Sequence, residues 1–286
     1  MDSSSQLVWL ITGCSSGFGA EFVAQIRRRG DLVIATSRKL DKIRYLEQPG
    51  VSILQLDVND SQNSLNETVT KAISIHGRID VLVNNAGYIA TGSWEDLKYT
   101  DFLSQFETNV FGVIRVTRAV LPHFRARRTG TMVFMGSRSA WYGDPFCGAY
   151  SGSKFALEGI VESLRWETEP FGIRTLLIHP GRFRTAFLSS SGGGFSTVKS
   201  DGSEYQAAYE GFLGYVAKEN GNQPGDVQKG VGVILDFVRR EGVAEGREVP
   251  FRMPLGADCF ETIKQECEET LAVLKKWESV IKGTET

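Results

Sequence analysis

Six short runs, at 7–11, 32–35, 52–56, 81–83, 131–135 and 173–178, consist almost wholly of aliphatic and β-branched residues, and longer stretches of helical periodicity separate them. A strand with one face in water alternates apolar and polar residues; these runs do not, so both of their faces are expected to be covered. Parallel neighbours need a connection long enough to hold a helix, and that connection is right-handed. The chain is therefore expected to form an α/β structure, a doubly wound parallel sheet with helices on both faces. At 286 residues it can bury a large core as one domain, residues 1–286, and no internal repeat divides it.

Helix boundaries are marked as well. Residues 18–29 carry a helical pattern stopped by Gly30, Asp226 is placed to cap a helix over 227–240, and Asp258 a C-terminal helix within 256–282. The alternation of strand and helix breaks after Pro180. Residues 182–225 are rich in Gly and Ser, notably at 189–194, yet hold Phe183, Phe187, Phe195, Tyr205, Tyr209, Phe212 and Tyr215. Two readings stay open: a flexible substrate-binding lid, or a helical hairpin that packs its rings into the core.

With 41% hydrophobic and 23% charged residues and a formal net charge of -2, the chain carries no field that would draw it to nucleic acid or anionic lipid. A small-molecule substrate is the expected partner, and no nucleic acid. Cys14, Cys147, Cys259 and Cys267 form no cluster with metal-ligand spacing, even with His76, His123 and His179. No metal is expected, and the cysteines read as reduced thiols. Residues 1–5 are polar and lack the basic and apolar segments of a signal peptide, and no apolar run approaches the roughly 20 residues that cross a bilayer. A cytoplasmic protein without an integral membrane segment is expected.

The first run leads straight into Thr12-Gly13-Cys14-Ser15-Ser16-Gly17-Phe18-Gly19 and then a helix. Glycines permit a tight turn and close approach of backbone to an anion, and the helix start offers unpaired N–H groups and a positive dipole end. Gly13, Ser15, Ser16, Gly17, Phe18 and Gly19 are thus candidates to hold the pyrophosphate of a dinucleotide, the Rossmann-type arrangement. At the end of the second strand, where a carboxylate would bond a free ribose 2′-hydroxyl, stand Ser37, Arg38 and Lys39. A guanidinium without an opposing carboxylate suits a 2′-phosphate, so NADP(H) is favoured over NAD(H). Asp57 and Val58, after the third strand, fall at the rim of the adenine site.

Asn84-Asn85-Ala86-Gly87 closes the fourth run, Asn109 lies in the following helix, and Ser137 closes the fifth run. Tyr150 and Lys154 stand one turn apart at the start of the next helix, on one face. A phenol with a pKa near 10 is a poor base at neutral pH; a nearby cation stabilises its anion, and Lys154 supplies one. In the reductive direction Tyr150 would protonate a carbonyl oxygen as hydride arrives, and Ser137 would donate to the developing oxyanion. Asn109 would hold water that reloads Tyr150 through Lys154.

Thr12-Gly13-x-x-x-Gly17-x-Gly19, Asn84-Asn85-Ala86-Gly87, Asn109, Ser137, Tyr150-x-x-x-Lys154 and Pro180-Gly181 stand in the order and at the intervals of the short-chain dehydrogenase/reductase family. The chain resembles that family over 7–185. The resemblance implies a Rossmann domain of about seven parallel strands and a dinucleotide cofactor. Asn85, Ala86, Gly87, Tyr150, Lys154, Pro180, Gly181 and Thr185 would meet that cofactor. It also implies a homodimer or homotetramer joined through the helices that contain Asn109 and Tyr150. Segments 10–17 and 153–159 are similar to the branch that holds 17β-hydroxysteroid and retinol dehydrogenases. Pro254-Leu255-Gly256-x-Asp258 resembles microbial members, including tailoring enzymes of natural-product pathways, which would place the chain in secondary metabolism.

The chain departs from many relatives at Arg182-Phe183-Arg184-Thr185, where Arg182 is either a clamp for a substrate carboxylate or a surface charge. Trp141, Tyr142, Phe146 and Cys147, between Ser137 and Tyr150, are expected to line the pocket together with Phe187, unless they anchor their loop in the core. They point to a bulky, lipophilic substrate. Three functions remain in view: a carbonyl reductase or alcohol dehydrogenase, an oxidoreductase or isomerase acting on an imine, enone or cyclising substrate through the same cofactor, and a non-catalytic NADP sensor. Intact Ser137, Tyr150 and Lys154 favour the first.

Overall fold

The structure, a computed structural model, describes residues 6–189, 194–198 and 202–285. Expectations placed on residues 1–5, and on the part of the glycine–serine run at 190–193, lie outside the described residues. In chain order the elements are β1 (Val8–Ile11), α1 (Gly17–Arg28), β2 (Leu32–Ser37), β3 (Val51–Gln55), α2 (Gln62–His76), β4 (Val81–Asn84), β5 (Ile89–Thr91) and α3 (Tyr99–Phe106). There follow α4 (Val113–Arg127), β6 (Gly130–Met135), α5 (Gly148–Thr168), β7 (Ile173–Pro180), β8 (Phe195–Thr197), α6 (Gln206–Glu219), α7 (Val227–Arg239), β9 (Arg252–Leu255) and α8 (Ala257–Lys282).

Among the described residues seven strands form one parallel sheet in the order β3-β2-β1-β4-β6-β7-β9. The apolar runs lack polar alternation because the sheet has a core on each side. Trp9 and Ile11 of β1 join Phe22 and Ile26 of α1 and Ile234 of α7 on one face. Val8 and Leu10 turn to Val116 and Val120 of α4 and Leu157 of α5 on the other. The chain runs outward from β1 to β3, then returns across β1 to β4, so the carboxyl ends of β1 and β4 part and open a crevice.

Each of the six expected strands is present, its ends within one or two residues of the reading. The seventh, β9, eluded it because Pro254 interrupts a four-residue segment; at the sheet edge, beside β7 alone, the missing N–H is tolerated. Asp226 caps α7 as expected, accepting from the N–H groups of Gln228 at 2.8 Å and Lys229 at 3.2 Å. Asp258 does not cap α8. Gly256, at φ +96, precedes that helix, and Asp258 instead accepts from the backbone N–H of Arg182 at 2.8 Å. A buried pair fastens α7 to the sheet: Arg239 Nη1 donates to both oxygens of Asp31 at 2.9 and 2.7 Å, and Asp31 also accepts from Trp9 Nε1 at 2.9 Å.

In the 182–225 segment the described aromatic side chains pack against the rest of the chain. The segment's β8 pairs with β5 as a second small sheet, and α6 packs across the crevice. Tyr209 is buried, stacks on Phe212 with centroids 6.0 Å apart, and shares a 2.9 Å hydrogen bond with Thr91 Oγ1. Phe187, Phe195 and Phe212 pack against Ile89, Cys147 and Tyr150. The rings thus form a small core of their own that roofs the crevice.

Candidate active site

A cavity of about 550 Å³ occupies the crevice, lined at one end by the turn after β1 and at the other by Ser137, Tyr150 and Phe187. Gly13 and Gly17 take φ of +73 and +56, conformations that L side chains rarely adopt. A Cβ on Gly13 would lie 2.9 Å from Ala86 Cα, and one on Gly19 only 2.2 Å from the Gly13 carbonyl oxygen. Gly19 is therefore a packing residue that lets α1 close on the turn; it is not among the residues that line the cavity. Thr12 and Asn85 lock the turn to β4: Thr12 Oγ1 accepts from the N–H groups of Asn85 and Ala86 at 3.0 Å each, and Asn85 Nδ2 donates to the Thr12 and Gly13 carbonyls at 2.9 and 3.0 Å.

The start of α1 suits an anion. Ser16 occupies the N-cap without a side-chain cap bond, and the first turn holds no acidic residue. Ser15, Ser16, Gly17 and Phe18 line the cavity beside it. At the end of β2, Ser37, Arg38 and Lys39 line the same cavity, joined by Lys42, which the sequence reading passed over. Ser37 Oγ is held by the Lys39 N–H at 3.2 Å, whereas the Arg38 side chain is exposed at the rim. Asp57, Val58, Asn85, Ala86, Gly87, Pro180, Gly181 and Thr185 also line it. An uncapped helix start, glycines closed against neighbouring backbone and three cations at the far end fit a phosphorylated dinucleotide.

Tyr150 and Ser137 meet at the inner end. Burial pushes the Tyr150 phenol up to about 12, and a hydrogen bond with Ser137 partly offsets it. The hydroxyl of Ser137 also accepts from the Ser139 N–H at 3.0 Å. Asp144 holds this loop by pairing with Arg138 and accepting from Ser139 Oγ at 2.8 Å. One turn on, Lys154 Nζ donates to the Met135 carbonyl at 2.7 Å and lies 5.7 Å from the centroid of the Tyr150 ring. Burial pushes the Lys154 ammonium down to about 8, with Glu158 acting in the opposite sense. Glu158 itself bonds the buried His179 and accepts from Arg252 Nε at 2.9 Å, a charged layer beneath the lysine.

Asn109 lies behind the cavity wall. It is almost fully buried and not among the cavity-lining residues. Its Oδ1 accepts from the Tyr88 N–H at 3.1 Å, and its Nδ2 donates to the Tyr88 carbonyl at 3.0 Å and to Ser153 Oγ at 3.2 Å. Both amide hydrogens are thus engaged within the protein, and the side chain pins the strand after Gly87 to α5. It sits in a widened helical turn, Glu107–Gly112, that links α3 to α4.

The pocket wall differs in part from expectation. Trp141, Tyr142 and Phe146 are not among the residues lining the cavity. Trp141 packs edge-on against His179 at 6.2 Å, Tyr142 is exposed beneath the Arg138 guanidinium, and Phe146, at φ +60, packs on Tyr209 and Phe212. The wall is built by Cys147, Phe187, Leu188, Phe195, Phe212 and Tyr215. Period and spacing do not reveal Phe195, Phe212 and Tyr215 as wall residues, since α6 and β8 reach the site only by folding back over it. Cys147 and Phe187 line the wall as expected, and the Phe187 ring centroid lies 6.4 Å from that of Tyr150. Arg182 lines the cavity, but its charge is already met: Nη1 lies 2.8 Å from Glu219 and bonds the Tyr215 hydroxyl, and Nε approaches Asp258 at 3.4 Å. It ties α6 to the start of α8 and is neither a free clamp nor a lone surface charge.

A switch-point crevice with a glycine turn at one end and a buried Ser–Tyr–Lys group at the other defines a nucleotide-binding α/β protein. Residues 7–193 match the model of the short chain dehydrogenase family, and the chain belongs to that family. It is 38% identical over 281 residues to the uncharacterized oxidoreductase YusZ of Bacillus subtilis, covering 96% of each chain. Human retinol dehydrogenase 8 is 39% identical over 189 residues, 62% of this chain and 59% of that one. Among solved structures, a short-chain dehydrogenase from Streptomyces avermitilis superposes with a TM-score of 0.85 at 32% identity, covering 99% of this chain and 100% of the other. Among the described residues no group of acidic, histidine or cysteine side chains is arranged to hold a metal, and no helix is long and apolar enough to cross a membrane.

Proposed function

We propose that the chain is an NADP(H)-dependent oxidoreductase that interconverts a carbonyl and an alcohol on a bulky, lipophilic small molecule, with Tyr150 as general acid and base. The observation that carries this reading is the buried Tyr150 phenol, which with Ser137 lines the inner end of a cavity that continues to the uncapped start of α1. A nicotinamide nucleotide, when bound, supplies or accepts the hydride.

With its pKa raised to about 12, Tyr150 keeps its proton at neutral pH and is set to donate it to a carbonyl oxygen. Ser137 shares the same donor–acceptor contact and orients the oxygen between them. Lys154 restores the proton and stabilises negative charge that develops on the phenol, and the Met135 carbonyl aims its ammonium. Gly13 to Phe18 would hold the pyrophosphate, and Arg38, Lys39 and Lys42 a 2′-phosphate, which supports NADP(H) over NAD(H). Phe187, Leu188, Phe195 and Phe212 favour apolar substrate surface next to Tyr150. The name of the retinol dehydrogenase relative agrees with an alcohol/carbonyl couple on a lipophilic molecule.

For quaternary structure, an apolar groove between α4 and α5, lined by Val113, Ile114, Leu121, Ile160 and Leu164, is consistent with the family's dimer face. The test of function is titration of NADPH and NADH by fluorescence, followed by NADPH oxidation against bulky ketones, imines and enones. NADPH binding with ketone turnover supports the proposal. Turnover confined to imines or enones, or binding of neither nucleotide, overturns it.

A further inference from the structure

The C-terminal helix leaves the domain after its first two turns. Cys259 is buried, Ile263 is half-buried, and every described residue from Cys267 to Glu285 is exposed. An isolated helix of this length gains little from propensity alone, so a solvated helix with a broad apolar face lacks the packing that normally holds it. Leu271, Val273, Leu274, Trp277, Val280 and Ile281 are all at least 45% exposed, a concentration of large apolar side chains that a monomer surface rarely carries.

Their spacing identifies the missing neighbour. Phe260, Cys267, Leu274 and Ile281 recur every seven residues, and Ile263, Thr270 and Trp277 recur every seven between them. Alternate steps of three and four make a heptad seam, whose natural complement is another helix with the same period. Leu271 and Val273 flank the seam and widen it.

Charge selects the occupant and its direction. Residues 257–269 hold Asp258, Glu261, Glu266, Glu268 and Glu269 against Lys264 alone, whereas 270–282 hold Lys275, Lys276 and Lys282 against Glu278 alone. A parallel copy would set acid beside acid; an antiparallel copy sets each half against its opposite. From Ala257 to Lys282 the helix holds six acidic and four basic side chains, so its net charge is negative and an anionic lipid surface would repel it.

We infer that α8 is a self-association element, pairing with α8 of a second copy of this chain as an antiparallel two-helix coiled coil with its two-fold axis at Ala272. In this register Ile263 faces Ile281 of the second copy, Cys267 faces Trp277, and Thr270 faces Leu274. Leu271 and Val273 each lie near their own counterparts across the axis, and Lys264 falls opposite Glu278. The contact is isologous, as a closed dimer requires. It is separate from the α4–α5 groove and does not depend on the proposed function.

Cross-linking through the exposed Cys267 tests the register in the full chain. Trp277→Cys, oxidised mildly in solution, is expected to give covalent dimers in which Cys267 of each copy bonds the thiol introduced into the other. The unsubstituted chain is expected to give none, since its two Cys267 side chains lie on opposite sides of the axis. Adding Leu274→Glu and Ile281→Glu to the Trp277→Cys chain is expected to abolish the cross-link. Unchanged far-ultraviolet dichroism and thermal unfolding of the domain would show that the fold survives. Covalent dimers from the unsubstituted chain mean parallel pairing and overturn the antiparallel assignment. Absence of cross-linking in Trp277→Cys overturns self-association, and flotation of that uncrosslinked chain with phosphatidylserine vesicles would give the face to a lipid surface instead.

Discussion

Lys154 Nζ donates to the backbone carbonyl of Met135 at 2.7 Å, which ties the cation of α5 to the last residue of β6, two positions before Ser137. The strand that leads to the serine and the helix that carries Tyr150 are thereby held in one geometry by a buried charge. The cost appears in the ammonium itself, which burial pushes down to about 8. A lysine that meets a carbonyl inside a protein is useful where its proton must be given up and recovered.

Tyr150→Phe removes the proton donor while leaving the ring against Phe187. Turnover is expected to fall by about 10²–10⁴-fold, with NADPH affinity changed by no more than about twofold. Steady-state kinetics beside a fluorescence titration checks both; retained turnover removes Tyr150 from the mechanism.

The pH dependence follows from Lys154. Its folded pKa lies below the unfolded value, so the ammonium is present below pH 8 and is lost as pH rises through about 8. Carbonyl reduction is expected to decline above that pH although Tyr150 is still protonated, and Lys154→Arg should move the decline upward. Between about pH 8 and 10.5 the unfolded chain binds more protons at this site than the folded one, so the site's contribution makes stability rise with pH across that window. Urea denaturation at pH 7.5 and 9.5 reads this contribution, and Lys154→Gln should remove it.

Arg38→Asp adds a carboxylate where the cavity meets Lys39 and Lys42. The preference for NADPH over NADH, measured as a ratio of kcat/KM values, is expected to fall at least about tenfold, since a lost cation and a new repulsion each oppose a 2′-phosphate. An unchanged ratio assigns the ribose to another residue.

Gly19→Ala drives a Cβ to within 2.2 Å of the Gly13 carbonyl oxygen, a backbone atom that cannot move without the turn. A loss of about 1–3 kcal/mol in stability and a collapse of nucleotide binding are expected. Gly30→Ala, at φ +87 with no atom near the new Cβ, strains only its own backbone and should leave binding intact. Urea unfolding and NADPH titration of the two variants separate crowding at the site from strain.

Arg182→Ala frees Glu219 and Asp258 and releases α6 from the start of α8. Because α6 carries Phe212 and Tyr215 over the cavity, KM for a bulky substrate is expected to rise several-fold while kcat changes little. A loss confined to carboxylate-bearing substrates would return Arg182 to the role of a clamp.

The sequence by itself determined what depends on period and on neighbours along the chain. Unbroken apolar runs such as 7–11 demanded a sheet buried on both faces, the Thr12–Gly19 spacing demanded a turn opening a helix, and Tyr150 and Lys154 one turn apart had to share a face. What it could not decide was which residues meet through space. Trp141, Tyr142 and Phe146 stand next to Tyr150 in the chain yet turn away from the cavity, because their loop finds His179, Arg138 and Tyr209 to pack on. Phe195 and Phe212, 45 and 62 positions beyond Tyr150, line it instead, carried there by β8 pairing with β5 and by α6 folding across. Nor does pattern say which groups the Asn109 amide and the Arg182 guanidinium meet; the fold gives them Tyr88 and Ser153, and Glu219 and Asp258. Local pattern sets the elements, since helix and strand are periodic in sequence; competition among long-range partners sets the pocket, and only the folded chain brings those competitors together.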